Sequence, residues 1–354
     1  MKERSSTLSP TLPRVLVMMT NHHLGNFVLS VPVLSALAAY FRAPPDLLVD
    51  GRHASLAAAI PRAGRVRVFS HGKKDRSSLA TGLHFLRLAW AIRRARYDAV
   101  IDVGGGIHSV TLATASGAPR RVGFLEFRRS RLYTDRISAG PHEHVFDRYA
   151  QILKCIGQPG RPPLTRLRPG PESVRRLDEF LQRAGWTSSR LAVIHPGAGY
   201  AFRRWPKERF AGAADRLAER AGLRTCLVGA PGEEGFLEEI RLAMRHPSEA
   251  VVFVQPLDVL LALFDRAAIL LSNESGPTHL AAATNIPIVT IFGPSKESRW
   301  RPIRPENVTI LRGADCPPEC AWGKCVAGLK CVMNVTLDDL LRAAGKYLAI
   351  DLSS

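Results

Sequence analysis

Short apolar runs alternate with helix-length segments along almost the whole chain, and this alternation restricts the folds open to it. Apolar runs bounded by turn residues predict buried strands. The predicted strands fall at 14–19, 47–50, 65–69, 98–103, 191–195, 224–228, 251–253, 268–271 and 288–292. Helical stretches such as 27–41 and 79–96 separate them. Strand–helix–strand repeats build parallel sheets covered by helices on both faces, so the chain is expected to be an α/β protein.

The segment 157–171, GQPGRPPLTRLRPGP, interrupts this alternation with proline, glycine and arginine. Such a stretch is typical of a connection between domains. A chain of 354 residues with 46% apolar residues is long enough for two ordinary cores. We therefore expect a polar tail over 1–13 and doubly wound, Rossmann-like domains over 14–165 and 166–335. The final segment, 336–354, is expected to form a helix that packs back on the first domain.

The formal net charge of +18 is concentrated in the front of the chain. Residues 1–157 contain 23 Lys or Arg against 10 Asp or Glu. Such an excess either keeps the protein soluble or attracts an anionic partner. The chain has no helix-turn-helix, zinc-finger or RNA-recognition signature, so we do not expect it to bind nucleic acid.

Composition also bears on localisation. The sequence has no run of 18 consecutive apolar residues, and residues 1–13 are polar, without the apolar segment of a secretory signal. A cytoplasmic protein is therefore expected. Its six cysteines would be mostly reduced in that compartment.

Residues 268–292 carry the strongest local signal for a binding site. An apolar run leads through the polar turn SNESGP into a helix, and a second apolar run follows. Pro277 suits the first helical position, where its missing N–H has no cost. Amides at Ser275 and Gly276 would meet an anion such as a phosphate, while Glu274 and His279 would hold sugar or ribose hydroxyls. Open α/β sheets bind ligands at this edge, the carboxyl ends of their strands.

Five segments in order, including this one, resemble glycosyltransferase family 9, the heptosyltransferases that move heptose from ADP-heptose onto lipopolysaccharide core. The segments read LGNFVLSVPVLSAL, VIDVGGGIHSVTLATASGAPRRVGF, HPGAGYAFRRWPKERF, SNESGPTHLAAATNIPIVTIFGPS and CVMNVTLDDL. The resemblance implies the GT-B architecture, in which two Rossmann-like domains face each other across a cleft. It also implies an ADP-sugar donor on the second domain, a lipid-linked saccharide acceptor on the first, and transfer without a metal or other cofactor.

The resemblance assigns donor-binding residues in the second half of the chain. Arg203 stands where the family usually has a lysine that neutralises the donor diphosphate, and a guanidinium can bind phosphate with two N–H groups. Arg204 follows it, and Gly197 lets the backbone approach a ligand closely. A glutamate in the following loop is expected to hold nucleotide hydroxyls, with Glu234 preferred over Glu233. Glu274 replaces the usual aspartate and keeps the carboxylate.

The acceptor half departs from the family at the expected catalytic base. Family members typically read Leu-Gly-Asp where this chain has Leu24-Gly25-Asn26. The amide of Asn26 cannot accept a proton at neutral pH, although it can orient the acceptor. Asp102, at the end of a strand, is the first candidate for the base, although it could instead cap the following helix. The histidines His22, His23 and His108 are the alternatives.

Segment 119–136 is expected to contact the acceptor. It carries six arginines interleaved with aromatic residues, a combination that suits a phosphorylated glycolipid or a membrane surface. Its site residues are Arg120, Arg121, Arg128 and Arg129. The helix over 83–96, with Trp90 and arginines near its end, could add to a peripheral contact with the inner membrane, although a solvated face is the alternative for both stretches.

Four cysteines, Cys316, Cys320, Cys325 and Cys331, lie within sixteen residues. Such thiolates could hold a structural zinc or iron, as some protein-modifying relatives do, or simply pack as reduced thiols.

The family resemblance as a whole leads us to expect a lipopolysaccharide-core heptosyltransferase. The alternatives are a heptosyltransferase that acts on autotransporter proteins, and a nucleotide-sugar-binding protein without catalysis because of Asn26.

Overall fold

In the computed structural model the protein divides into two compact units, residues 1–165 and 166–354. The structure describes residues 13–70, 78–127, 129–138, 140, 144–158, 160–317, 319–320 and 325–352. The tail expected over 1–13 therefore lies outside the described residues, apart from Pro13.

The first unit is a six-stranded parallel sheet in the order β3-β2-β1-β4-β5-β6. Its strands are β1 Val15–Met19, β2 Asp46–Asp50, β3 Val66–Phe69, β4 Ala99–Asp102, β5 Arg120–Phe124 and β6 Asp135–Ile137. Its helices are α1 Leu24–Phe41, α2 Ser78–Arg94, α3 Ile107–Ala115 and α4 Val145–Cys155. Every residue of β1 and β4 is buried, as expected for central strands covered on both faces.

The second unit repeats this arrangement in the order β12-β11-β10-β7-β8-β9, again all parallel. Its strands are β7 Leu191–His195, β8 Arg224–Val228, β9 Ala250–Phe253, β10 Ile269–Asn273, β11 Ile288–Ile291 and β12 Val308–Leu311. Its helices are α5 Pro171–Arg183, α6 Lys207–Ala221, α7 Glu234–Leu242, α8 Leu257–Arg266, α9 Gly276–Ala282, α10 Glu297–Trp300, α11 Lys330–Met333 and α12 Leu337–Leu348. The α/β, doubly wound fold expected from the sequence is confirmed in both units.

The last helix, α12, belongs to the second unit. A reciprocal capping box between Thr336 and Asp339 starts it. Leu340, Leu341 and Ala344 are buried in the core of that unit, and the helix packs on α6, β10, β11 and β12. The expectation that 336–354 packs on the first unit is therefore wrong, because the apolar face of α12 covers the second sheet.

Helix α1 is the one helix among the described residues that is long and apolar enough to cross a membrane by length and hydropathy. Most of it is buried instead, and it packs against α4 and β1. Its apolar character follows from this position in the core of the first unit.

Candidate functional site

Both sheets have a topological switch point, where the strand order reverses and ligands of open α/β sheets bind. In the second unit it lies between β7 and β10. Asn273, at the end of β10, donates from Nδ2 to the Pro196 carbonyl (2.7 Å) and accepts at Oδ1 from the Trp205 amide (3.2 Å). One buried side chain thus ties together the loops that surround this edge, so their polar groups are held in fixed positions.

Arg203 is buried at this edge, with 7% of its surface exposed. It lies in a short 3₁₀ turn, Ala201–Arg203, between β7 and α6, with its guanidinium 5.6 Å from the Tyr200 ring. Burial lowers the pKa of Arg203, and the nearby carboxylate of Glu274 opposes that effect. Because an arginine pKa starts so high, the side chain stays charged. The edge therefore holds a cation largely removed from water.

Glu274 follows β10 and is the acidic partner in this group. Burial raises the pKa of Glu274, whereas the neighbouring Ser295 side chain and the charges of Arg203 and Arg312 lower it. Arg312, just after β12, is fixed by donating from Nη2 to the Ser295 carbonyl (2.8 Å). Two guanidinium groups thus act on one carboxylate, which leaves an excess of positive charge and favours an anion.

His195 ends β7 and is nearly fully buried. Its Nδ1 lies 3.1 Å from the Ser275 hydroxyl, which lies 3.1 Å from the Thr278 hydroxyl. Burial lowers the pKa of His195 to about 4, with Glu233 opposing, so the ring is neutral at pH 7. A Cβ on Gly197 would meet the His195 ring at 3.1 Å, so this position leaves little room for a larger residue.

The loop after β8 places Glu233, rather than Glu234, beside these groups. Glu233 binds Arg204 (Oε1 to Nη2, 2.8 Å) and accepts the Ala230 amide at Oε2 (2.9 Å). Glu234 accepts the Gly232 amide (2.8 Å) at the exposed start of α7. The expectation that Glu234, ahead of Glu233, holds the nucleotide hydroxyls is therefore corrected. The Glu234 side chain instead accepts a hydrogen bond within its own turn. Arg204 has its charge balanced by Glu233 and its guanidinium over the Phe236 ring (4.3 Å).

The polar turn after β10 adopts the predicted strand–turn–helix geometry. Ser275 precedes α9 in an extended conformation, and Gly276 and Pro277 form its first turn. The helix has only seven residues, so its dipole adds little to the anion site. His279 is buried within it, edge-on to the Trp300 ring at 6.4 Å.

Two of the four cysteines of the tail, Cys316 and Cys331, lie close enough to Arg203 to act on its pKa. Burial and the neighbouring Cys331 raise the pKa of Cys316 to about 12. Cys325 accepts the Leu329 amide at Sγ (3.2 Å). Within the described ranges, no three His, Cys, Asp or Glu side chains are grouped to hold a metal ion.

In the first unit Asp102 lies at the switch point between β1 and β4, but it is fully buried. Tyr133 donates to Oδ2 (2.5 Å) and the Gly105 amide to Oδ1 (3.0 Å). Burial raises the pKa of Asp102. With no exposed surface and both oxygens occupied, it cannot reach a substrate hydroxyl. The expectation that Asp102 is the catalytic base is therefore corrected. Its hydrogen bond from the Gly105 amide instead holds the loop Gly104–Gly106 in place.

Histidines surround the start of α1, where Asn26 lies half-buried in the first turn. His23 is the N-cap residue of α1, and its ring lies 4.0 Å from the ring of His22. Burial lowers the pKa of His23, and the charges of His22 and Arg52 lower it further. Residues three apart on a helix are neighbours, so His23 and Asn26 share one face of the first turn.

His53 completes this group at the end of β2. Its ring packs on Phe27 (4.9 Å), and burial lowers its pKa to about 4. The sequence analysis did not include His53, because a lone histidine before an alanine-rich stretch gives no local signal.

The acceptor arginines are divided between the two edges of the first sheet. Arg120 and Arg121 begin β5, level with the start of β4, and therefore lie at the amino edge. Arg120 donates to the Cys155 carbonyl (3.1 Å), and Arg121 to the carbonyls of Ala118 (2.7 Å) and Leu132 (3.2 Å). The expectation that these two arginines bind the acceptor is therefore wrong.

Of the other two arginines, Arg128 lies outside the described residues. Arg129 lines a largely apolar cavity of about 500 Å³ near the carboxyl edge, with His84, Phe85 and His108 in its walls. The ring of His108 packs against Phe85 at 5.8 Å. This cavity was not predicted from the sequence, and it gives the first unit a concave surface that contains one of the predicted arginines.

Residues 85–327, more than half of the chain, match the model of glycosyltransferase family 9 (heptosyltransferase). The chain belongs to this family. Lipopolysaccharide heptosyltransferase 3 of Escherichia coli is 24% identical over 291 residues, 78% of this chain and 83% of that one. Two solved structures match the fold: a family 9 glycosyltransferase from Veillonella parvula (TM-score 0.83, 21% identity, 97% and 99% of the two chains) and E. coli ADP-heptose lps heptosyltransferase II (0.78, 19%, 95% and 98%).

Membership makes the protein a glycosyltransferase of the GT-B type, so the family and fold expectations are confirmed. Sequence reasoning missed Arg312 and Asn273 at the donor edge. Arg312 follows a strand, β12, that was not predicted, and Asn273 was regarded only as part of the polar turn.

Proposed function

We propose that the enzyme transfers heptose from ADP-heptose to a saccharide of the lipopolysaccharide-core type. The observation that carries the donor assignment is the group formed by buried Arg203 with half-buried Glu274 and Arg312 at the carboxyl edge of the second sheet. A nucleoside diphosphate supplies the negative charge that this group attracts, and Glu274 and Glu233 supply acceptors for sugar and ribose hydroxyls. The names of the relatives point to the same donor and acceptor.

The chemistry assigned to the second unit is stabilisation of the leaving group. The acceptor oxygen forms a bond to the anomeric carbon while the bond from that carbon to the diphosphate oxygen breaks, leaving ADP. Charge builds on the diphosphate in this step, and preorganised cations in a poorly hydrated site stabilise it strongly. Arg203 and Arg312 carry that role in the proposal.

The proton of the acceptor hydroxyl goes to His23 in this proposal. Asn26 has no proton-accepting group, and Asp102 is enclosed, whereas His23 is solvent-exposed beside Asn26 at the ligand edge. Its lowered pKa keeps the ring neutral at pH 7, the form that accepts a proton. Asn26 would then orient the acceptor hydroxyl through its amide.

We further propose that transfer requires no metal, because arginines do the work that a divalent cation does in other sugar transferases. Turnover in the presence of EDTA is expected to equal turnover with added Mg²⁺. Metal analysis of protein purified without chelators tests the four-cysteine segment separately, since a stoichiometric metal there would be structural.

The donor assignment is tested by thermal shift of the full chain with ADP, ADP-heptose and UDP-glucose. ADP and ADP-heptose should raise the melting temperature, and UDP-glucose should have little effect. A transfer assay with heptose-deficient lipopolysaccharide then tests the acceptor. Donor binding without transfer to lipopolysaccharide or autotransporter protein would instead support a non-catalytic role, while failure of both ADP ligands to bind would overturn the donor assignment.

A further inference from the structure

Helix α2 in the first unit presents an apolar stripe to solvent. Leu83, Leu86 and Trp90 are 46%, 65% and 63% exposed. The opposite face of the helix is buried, with Leu88 and Ile92 in the core of the first unit. The stripe is therefore additional to the apolar face that folding requires, and nothing in the packing of the unit accounts for it.

Arginines accompany this stripe along the same face. Residues at spacings of four, seven and eleven return to one side of a helix, which aligns Leu83, Arg87, Trp90 and Arg94. The guanidinium of Arg94 lies 5.1 Å from the centre of the Trp90 ring. Helix α2 contains no acidic residue. Apolar and cationic groups thus share one continuous surface, which we call the α2 stripe: Leu83, Leu86, Arg87, Trp90 and Arg94.

The C-terminal end of the stripe opens onto a polar cavity of about 600 Å³. Trp90, Arg93, Arg94 and Arg96 line it, and Asp98 is the acidic residue in its wall. Asp98 accepts the Arg14 amide (2.7 Å), which partly satisfies that carboxylate. Three guanidinium groups against one carboxylate leave a net positive cavity at the end of an apolar helix face.

We propose that the α2 stripe docks the enzyme on an anionic lipid bilayer. Leu83, Leu86 and Trp90 enter the boundary between headgroups and acyl chains, and the arginines contact lipid phosphates there and in the cavity. A helix that lies in the interface shows this combination of apolar and basic residues, and tryptophan is enriched at that depth. Charge complementarity selects the occupant, since each arginine gains from the negative surface of an anionic leaflet. The proposal rests on the proposed function only in so far as a lipid-linked acceptor gives such docking a purpose.

The test is flotation of the purified full chain with phosphatidylcholine vesicles, with and without phosphatidylglycerol. The wild-type chain should float with the anionic vesicles and dissociate as salt rises. Leu86→Gln combined with Trp90→Gln should reduce binding at least tenfold, and Arg94→Gln about fivefold with a weaker salt dependence. The matched controls are Leu242→Gln, since Leu242 on α7 is 64% exposed, and Arg183→Gln on α5; both should bind like wild type.

Trp90 gives a spectroscopic readout at the proposed depth. Its fluorescence should shift to the blue on anionic vesicles, whereas Trp90→Phe should keep binding and lose that shift. Binding that the stripe substitutions leave unchanged would overturn the proposal. The proposal would also be overturned if the wild-type chain did not bind anionic vesicles. The same holds if sedimentation showed that the stripe only pairs one copy of the chain with another. The same variants are also tested for a rise in melting temperature with ADP. That measurement reports on the donor assignment alone, so a failure of membrane binding can be told apart from a failure of donor binding.

Discussion

The carboxyl edges of the two sheets differ in chemistry although their strands run in the same order. In the second unit this edge holds buried Arg203 together with half-buried Glu274 and Arg312. In the first unit the switch point holds the carboxylate of Asp102, and both of its oxygens accept hydrogen bonds from within the protein. Histidines lie at the start of the first helix nearby. The doubly wound fold thus provides a crevice in each unit. Their side chains differ, which is why we propose that one crevice binds an anion and the other accepts a proton.

The largest effect that would test this contrast is expected from Arg203→Ala. Loss of a buried cation that faces the leaving diphosphate should lower kcat/KM by about 100- to 1000-fold, or about 3–4 kcal/mol. Steady-state kinetics with ADP-heptose measures it. Arg204→Ala is the matched control, because the charge of Arg204 is already balanced by Glu233 (2.8 Å), and a much smaller loss is expected there. Equal losses in both variants would contradict the distinction between the two arginines.

A smaller effect is expected on the proton-handling side. His23→Ala should lower kcat by about 100-fold, the lower end of the range for a general base. In the wild-type enzyme kcat should fall as the pH drops through the lowered pKa of His23, because the protonated ring cannot accept a proton. Asn26→Asp places a carboxylate in the same turn and should restore activity to the His23→Ala variant. Unchanged kcat in His23→Ala would remove this histidine from the mechanism.

Both units are expected to lose stability as the pH falls, because each contains one buried histidine with a lowered pKa. His53 in the first unit and His195 in the second have pKa values of about 4, below the usual 6.5. Between these values the unfolded chain binds protons that the folded chain does not, so stability falls as the pH drops from 6.5 to 4. Each histidine should account for about 2–3 kcal/mol of that loss. His53→Asn and His195→Asn should each flatten the pH dependence in urea unfolding, and parallel curves with wild type would contradict this.

The smallest effect on turnover is expected from Asp102→Asn. The substitution leaves the shape intact but weakens the hydrogen bonds from Tyr133 and Gly105, which should cost about 1–3 kcal/mol of stability. Turnover per folded molecule should stay close to wild type. The measurement is a pair of assays on one preparation, thermal unfolding and initial rate. A stable variant with a large loss of turnover would return Asp102 to the role of base.

Much of the fold could be predicted from periodicity alone. The central strands are buried on both faces and therefore appear as continuous apolar runs, as at Leu191–His195. Strands β5, β6 and β12 escaped prediction because their sequences are short or mixed: β5 begins with Arg120 and Arg121, β6 has only the three residues Asp135–Ile137, and β12 is only partly buried. Arginines at the start of a strand look like a basic surface segment when only the sequence is known.

The site was less accessible to sequence reasoning, because its chemistry depends on burial. A carboxylate at the end of a strand suggests catalysis, yet Asp102 is enclosed by Tyr133, which lies 31 positions away in the sequence. Likewise Glu233 and Glu234 are adjacent, and only the path of the loop determines which one faces Arg204. Long-range contacts of this kind leave no local pattern.

The placement of α12 has a consequence for how such enzymes diversify. Because this helix completes the hydrophobic core of the unit that carries Arg203, everything after Thr165 forms one compact block. A recombination event that joins a different front unit to this block therefore needs a single crossover near residue 165. Chimaeras designed on that junction should retain an intact nucleotide-sugar module whichever front half they receive.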